Sequence, residues 1–212
     1  MLIKRYFGFA QYADYADVNL QLLYSPLGDG DKERIADYLQ QAYIWGMKIF
    51  LIGFMGSGKT HWGEIWAEKN RLDFFDLDSF IEAQQQKTID AIFNEDGETY
   101  FRETESATLK TFAEKDNCII ACGGGTPCFH DNMQWMDGHG ITVYLKATPG
   151  QIMERVKDEK HMRPLLKRLN DDEAFLFITQ KIKEREPFYS QAQIILPVDE
   201  LNNESFEKII NS

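Results

Sequence analysis

Eight residues, Gly53-Phe54-Met55-Gly56-Ser57-Gly58-Lys59-Thr60, fit G-x-x-x-x-G-K-[ST], the pattern of a phosphate-binding P-loop. The residue choice has a physical reason. Glycines let the backbone curl until successive N–H groups point inward at an anion. A helix opening at the end of the loop adds its free N–H groups and the positive end of its dipole. Lys59 brings a mobile positive charge to the β- and γ-phosphates, and Thr60 brings a hydroxyl for Mg²⁺.

Further residues carry chemistry along the chain. Asp76 and Asp78, two apart on an extended chain, share a side. One could hold Mg²⁺ through water and the other accept a proton from a substrate hydroxyl. Asp78, before Ser79-Phe80-Ile81-Glu82, is equally suited to cap a helix. Arg102 and Glu105 share a helix face. An arginine oriented by a carboxylate suits a substrate carboxylate, although such pairs are more often solvated surface pairs. Gly123-Gly124-Gly125 allows a ligand close to the backbone, where a plain strand-to-helix turn needs one glycine or two.

Arg163 lies in a charged stretch, 156–166, that reads as a mobile flap over a phosphate site, or on charge content alone as a solvated loop. Arg185 falls on the stripe of Ile178 and Ile182. A buried arginine needs an anionic partner, the sequence offers no fixed one, and a ligand is a candidate. His61, His130, His139 and His161 follow no metal-ligand spacing, and neither do Cys118, Cys122 and Cys128, which read as free thiols, the first two in or beside a core strand.

Elements must hold these residues in place. The apolar runs Ile49–Ile52, Phe74–Phe75, Cys118–Ala121, Ile141–Leu145 and Ile194–Leu196 alternate with helical patterns. This predicts βαβ units and a mostly parallel sheet covered on both faces. Ligands of such sheets bind at the carboxyl ends of the strands. The P-loop, the aspartate pair and the glycine triplet each follow a run directly. Trp62, Ile65 and Trp66 mark a helix after the P-loop, Thr88 to Asp96 a short helix, and Glu98 to about Lys115 a longer one. Thr148-Pro149-Gly150-Gln151 supplies an N-cap, a proline at the first helical position and a capping box. A last long helix starts near Asp171, turns Phe175, Ile178 and Ile182 to the core, and is expected to end or kink at Pro187.

Size and charge set limits. The 212 residues, 43% of them apolar, suffice for one domain with an appendage. A formal charge of −11 argues against nucleic-acid binding. It leaves a locally built anion pocket open. No apolar run approaches a membrane span, and the N-terminus shows neither a secretory nor a transit signal, so a cytoplasmic location is expected. Residues 1–46 hold six tyrosines, few aliphatic residues and no chemical motif. They read as an accessory or partly disordered N-terminal extension before a P-loop domain over 47–212.

From Met47 onward the sequence resembles the shikimate kinase family. The resemblance rests on the P-loop, on Asp76 and Asp78 with Ile81 and Glu82, and on Phe101, Arg102 and Glu105. It rests also on the glycine triplet, on Arg163-Pro164-Leu165-Leu166, and on Arg185, Tyr189 and Ala192. It implies an αβα sandwich of the nucleoside-monophosphate-kinase-like kind, with a five-stranded parallel sheet, a substrate-binding helical region near 79–106 and a lid. It implies phosphorylation of the shikimate 3-hydroxyl by ATP, in aromatic amino-acid biosynthesis, by a monomer. ATP would lie on Gly56, Ser57, Gly58, Lys59 and Thr60, with Arg163 closing over the phosphates. Mg²⁺ would sit at Thr60 and Asp76. Shikimate would meet Asp78 as hydroxyl acceptor and base, Arg102 and Arg185 as a carboxylate clamp, and Gly123, Gly124 and Gly125 as a backbone wall. His61, Cys122 and Pro197 depart from the family's common residues, and Pro197 bears on one adenine contact. A gluconate kinase and a non-catalytic nucleotide-binding module are the alternatives. Intact Lys59, Asp76, Asp78 and Arg163 weigh against the second.

Overall fold

The five apolar runs become five strands: β1 (Lys48–Ile52), β2 (Asp73–Asp76), β3 (Cys118–Ala121), β4 (Ile141–Lys146) and β5 (Ile194–Pro197). They form one all-parallel sheet in the order β2-β3-β1-β4-β5. The computed structural model describes residues 46–157, 166–167 and 169–210; residues 1–45 of the extension and Arg163 lie outside them. β1 sits between β3 and β4, and Ile49, Phe50, Leu51 and Ile52 are each 0% exposed. Burying one such side chain stabilises by about 1.5–3 kcal/mol, which fixes the strand that feeds the P-loop.

The helices follow in order: α1 (Lys59–Asn70), α2 (Leu77–Gln85), α3 (Ile89–Glu95), α4 (Gly97–Lys110), α5 (Asn132–His139), α6 (Pro149–Val156), α7 (Asp171–Tyr189) and α8 (Ser205–Ile210). α1 buries Trp66, and half-buried Trp62 stacks on it with centroids 5.7 Å apart. α3 opens at Thr88, whose hydroxyl accepts from the Ala91 N–H. The longer helix is split: α4 ends at Lys110 and a 3₁₀ turn, Thr111–Glu114, completes it. α6 carries the expected capping box between Thr148 and Gln151. Among the described residues no helix is long and apolar enough to cross a membrane.

Three local expectations are corrected. The cap of α2 is Asp76, whose Oδ1 accepts from the N–H groups of Asp78 (3.1 Å) and Ser79 (3.2 Å). β2 runs into α2 with no intervening loop, so the first free N–H groups face the strand's last residue rather than Asp78. In α7 the buried residues are Ala174, Ile178 and Tyr189, while Phe175 is 44% exposed. One residue of offset turns a side chain by about 100° on a helix, so Ala174, four before Ile178, takes the inward place. Pro187 does not end α7, which continues to Tyr189. The proline falls in the last turn, where it forgoes one hydrogen bond, to the carbonyl of Lys183 four residues back, and the helix continues only two residues further.

Strand register sets the site. Ala121 of β3 is level with Leu51 of β1 and with Asp76 of β2. The Cys122 N–H then donates to the Leu51 carbonyl at 3.0 Å, tying the exits of β1 and β3 together. P-loop, aspartate pair and glycine triplet therefore leave the sheet side by side.

Gly140, at the entrance to β4, lies so close to β1 that a methyl carbon there would sit 2.3 Å from the Lys48 carbonyl oxygen. Gly140→Ala should destabilise the protein by about 1–3 kcal/mol, lowering Tm by roughly 2–4 °C per kcal/mol in a thermal melt.

Candidate active site

The P-loop has the geometry its glycines permit. Gly53, Gly56 and Gly58 have φ of 139°, 73° and 94°, a region that side chains with a Cβ rarely enter. Gly58 is the N-cap of α1, and no side chain caps that end, so its free N–H groups open onto the loop. Lys59 Nζ donates to the carbonyls of Gly53 and Phe54, both at 2.9 Å, and so lies across the loop. Thr60 Oγ1 donates to Asp76 Oδ2 at 2.7 Å. One carboxylate thus caps α2 with one oxygen and meets the P-loop threonine with the other.

Asp78 stands in the first turn of α2, close to Glu105 and to Gly123. Burial raises its pKa to about 6, aided by the negative charges of Glu105 and Asp76 and opposed by Lys59 and Arg102. Asp78 Oδ1 and Ser57 Oγ are the two buried side-chain polar atoms without a hydrogen-bond partner among the described residues. Buried polar atoms are nearly always paired. Both exceptions lie at this edge of the sheet.

The glycine triplet works by absence of bulk rather than by unusual backbone angles, because none of the three has positive φ. A methyl carbon on Gly123 would sit 2.8 Å from Asp78 Oδ1 and 2.8 Å from Glu105 Oε1. On Gly124 it would sit 3.2 Å from Arg185 Nη1 and 3.5 Å from both the Gly53 carbonyl and the Met55 nitrogen. On Gly125 it would sit 2.6 Å and 2.7 Å from the two Nη atoms of Arg102. The triplet is therefore the wall against which Asp78, Arg185 and Arg102 are gathered, and its middle member touches the P-loop.

The two arginines are held differently. Arg102 is 8% exposed. Its Nη1 donates to Glu105 Oε2 at 2.8 Å, and its Nε and Nη2 reach Glu98 Oε1 at 3.3 and 3.2 Å. Phe129, Phe101 and Phe93 surround the guanidinium at 4.4, 5.0 and 5.7 Å. Glu105 is fully buried, so the Arg102–Glu105 pair belongs to the site and not to the solvated surface. Arg185 lies over the ring of Phe54 at 5.4 Å and close to the hydroxyl of Tyr189, which donates to the Gly124 carbonyl. Among the described residues no carboxylate forms an ion pair with Arg185. The thiol of Cys128 is raised by burial, and the charges of Arg185 and Arg102 oppose that rise, so both cations bear on one place.

Thus every expected site residue within the described part lies at this edge: Gly56 to Thr60, Asp76, Asp78, Arg102, Gly123 to Gly125 and Arg185. Sequence reasoning missed Arg155. From the last turn of α6, its Nη1 donates to the carbonyls of Gly56 and Ser57 at 3.3 and 3.1 Å. Its only local signal was a basic residue at a helix end. Phe93 and Phe129 around Arg102, and Thr126 beside Glu105, were also missed, because their partnerships cross between elements; Glu98, four residues before Arg102 on the same helix, was missed although its spacing is local. Among the described residues no group of three His, Cys, Asp or Glu is placed to hold a metal ion.

The family model that matches this chain is described as shikimate kinase and covers residues 55–212. The shikimate kinase of Bacteroides thetaiotaomicron is 45% identical over 157 residues, 74% of this chain and 90% of that protein. A crystal structure of shikimate kinase from the same organism superposes with a TM-score of 0.72 at 43% identity, over 78% of this chain and 94% of that one. A shikimate kinase from Acinetobacter baumannii, solved in complex with shikimate, gives a TM-score of 0.70 at 30% identity, over 81% and 95% of the two chains. A matching P-loop, an acidic pair beside it, two gathered arginines and relatives of this closeness all agree, and the chain belongs to the shikimate kinase family.

Proposed function

We propose that this protein transfers the γ-phosphoryl group of ATP to the 3-hydroxyl of shikimate, giving shikimate 3-phosphate and ADP, a step toward the aromatic amino acids. The observation that carries the reading is the glycine wall, which gathers two guanidiniums and an unpaired carboxylate oxygen beside the P-loop. A small hydroxy acid needs cations for its carboxylate and an acceptor for its hydroxyl.

The roles follow from position. Phosphoryl transfer asks mainly for alignment and charge stabilisation. Gly56 to Thr60 hold the phosphates through N–H groups and the helix end, and Lys59 supplies charge to the γ-phosphoryl. Arg102 and Arg185 fix the carboxylate of shikimate. Asp78 Oδ1 accepts the hydrogen bond of the 3-hydroxyl and takes its proton as the oxygen attacks. A pKa near 6 leaves Asp78 largely ionised at neutral pH, yet a stronger base than an ordinary aspartate. Thr60 and Asp76, already in contact at 2.7 Å, are oxygen donors of the kind that suits Mg²⁺. When bound, that cation neutralises phosphate charge. Arg163 is assigned to the phosphates by family resemblance alone.

The working enzyme begins at Met47, ahead of the strand that feeds the P-loop. With ATP and Mg²⁺, the full protein and a chain starting at Met47 should both turn over shikimate far above gluconate and above the water background. Failure of both to exceed that background overturns the kinase reading, and failure of the shorter chain alone makes residues 1–46 part of the domain.

Arg102→Ala or Arg185→Ala should raise KM for shikimate about ten- to hundredfold, the range for a lost charged hydrogen bond, with KM for ATP changed less than about twofold. Equal loss of both affinities would show the clamp to be misassigned. Asp78→Asn should lower kcat by about 10²-fold or more. Because it removes a charge that burial, Asp76 and Glu105 together disfavour, the same variant should melt about 2–4 °C higher without ligands, as about 1 kcal/mol would produce.

A further inference from the structure

Arg102 can clamp a carboxylate only if its own plane is fixed, and the residue that fixes it, Glu105, must itself be held. Glu105 is fully buried. One of its oxygens, Oε2, accepts from Arg102 Nη1 at 2.8 Å. The other, Oε1, accepts from the hydroxyl of Thr126 at 2.6 Å. Thr126 is also fully buried, in the 3₁₀ turn Thr126–Cys128 that follows the glycine triplet.

That turn is pinned from behind. The Asn132 side-chain amide donates to the Thr126 carbonyl at 2.9 Å, and Asn132 Oδ1 accepts from the Ser106 hydroxyl at 2.7 Å. Asn132 is 0% and Ser106 4% exposed. A buried chain therefore runs from Ser106 through Asn132, Thr126 and Glu105 to Arg102. It starts and ends on α4 and passes through α5 and the turn. Every member satisfies its neighbour, the condition under which a buried polar network orders a site rather than weakening it.

We infer that Thr126 is a positioning residue for acceptor binding: its hydroxyl fixes the rotation of the Glu105 carboxylate, which fixes Arg102 against Gly125 in the orientation that receives the substrate carboxylate. Without the hydroxyl, Glu105 Oε1 is a buried carboxylate oxygen lacking its donor. The carboxylate then turns toward the cation that remains and draws the guanidinium away from the acceptor. Thr126 touches neither nucleotide nor reacting atoms. Its loss acts on acceptor affinity first.

The inference rests on the assignment of Arg102 to the shikimate carboxylate, and the test separates the two. KM for shikimate, KM for ATP, kcat and Tm are measured for the parent, Arg102→Ala, Thr126→Val, Thr126→Ala and Thr126→Ser. Thr126→Val should raise KM for shikimate about tenfold, the size of one lost hydrogen bond to a charged group, with KM for ATP and kcat within about twofold. Thr126→Ala carries the same expectation and replaces it if the valine variant does not fold. Thr126→Ser, which keeps the hydroxyl, should restore KM to within about twofold of the parent. The proposal is overturned if the hydroxyl-free variants keep the parental KM while Arg102→Ala raises it, if they lose kcat with KM unchanged, or if the serine variant is as poor as the valine. An unchanged KM in Arg102→Ala removes the clamp itself, and the proposal with it.

Discussion

Leu51, Ala121 and Asp76 lie in one row across three strands. The candidate site depends on that row. Parallel pairing fixes it through backbone hydrogen bonds, and the apolar side chains of β1 and β3 make a slip costly, because both strands are buried along their length. With the row set, the next residues of each strand have one place to go. Gly53 starts the P-loop, Asp76 caps α2 and steadies Thr60, and Cys122 leads into the glycines. Chemistry that spans seventy-odd positions of sequence is thus brought within one or two residues of a common line.

Electrostatics at this edge are left unbalanced in a particular way. Asp76 and Glu105 are fully engaged, by Thr60 and a helix end in one case and by Thr126 and Arg102 in the other. Asp78 Oδ1 has no hydrogen-bond partner among the described residues, and Arg185 forms no ion pair with a carboxylate there. An unpaired buried carboxylate oxygen is unfavourable to the folded state, and a half-buried cation without a close ion pair gains from an added anion. A bound hydroxy acid supplies a donor to the first and an anion to the second. Arg155 adds a different link, since it ties α6 to the carbonyls of Gly56 and Ser57. The position of that helix and the shape of the loop are mechanically joined.

Much of this was legible in the sequence because it is local. The five strands fall on apolar runs of two to five residues, and the P-loop, Thr88 and Thr148 announce helix starts through residues adjacent in the chain. Legibility fails where the deciding contact is made across space. Phe175 looks like a core residue until the i, i+4 stripe through Ala174 and Ile178 is known. Pro187 looks like a stop until the helix is seen to run on to Tyr189. Asp78 looks like a cap on paper, and the missing loop between β2 and α2 gives that place to Asp76. Glu98, Thr126, Asn132 and Ser106 are ordinary polar residues in sequence, and they acquire meaning only from the buried chain and the ion pair around Arg102.

The glycine triplet has a consequence for how this protein can change over generations. A side chain at two of its three positions would meet a charged neighbour too closely, Asp78 and Glu105 at Gly123 and Arg102 at Gly125, while at Gly124 it would press on Arg185 more lightly. A single base change that replaces any of them strikes a charged partner rather than empty space. A lineage drifting toward a bulkier or differently charged acceptor would have to alter wall and partner together, and the intermediate with only one change would pass through a poor catalyst. The wall is thus a constraint on change as well as a surface for binding.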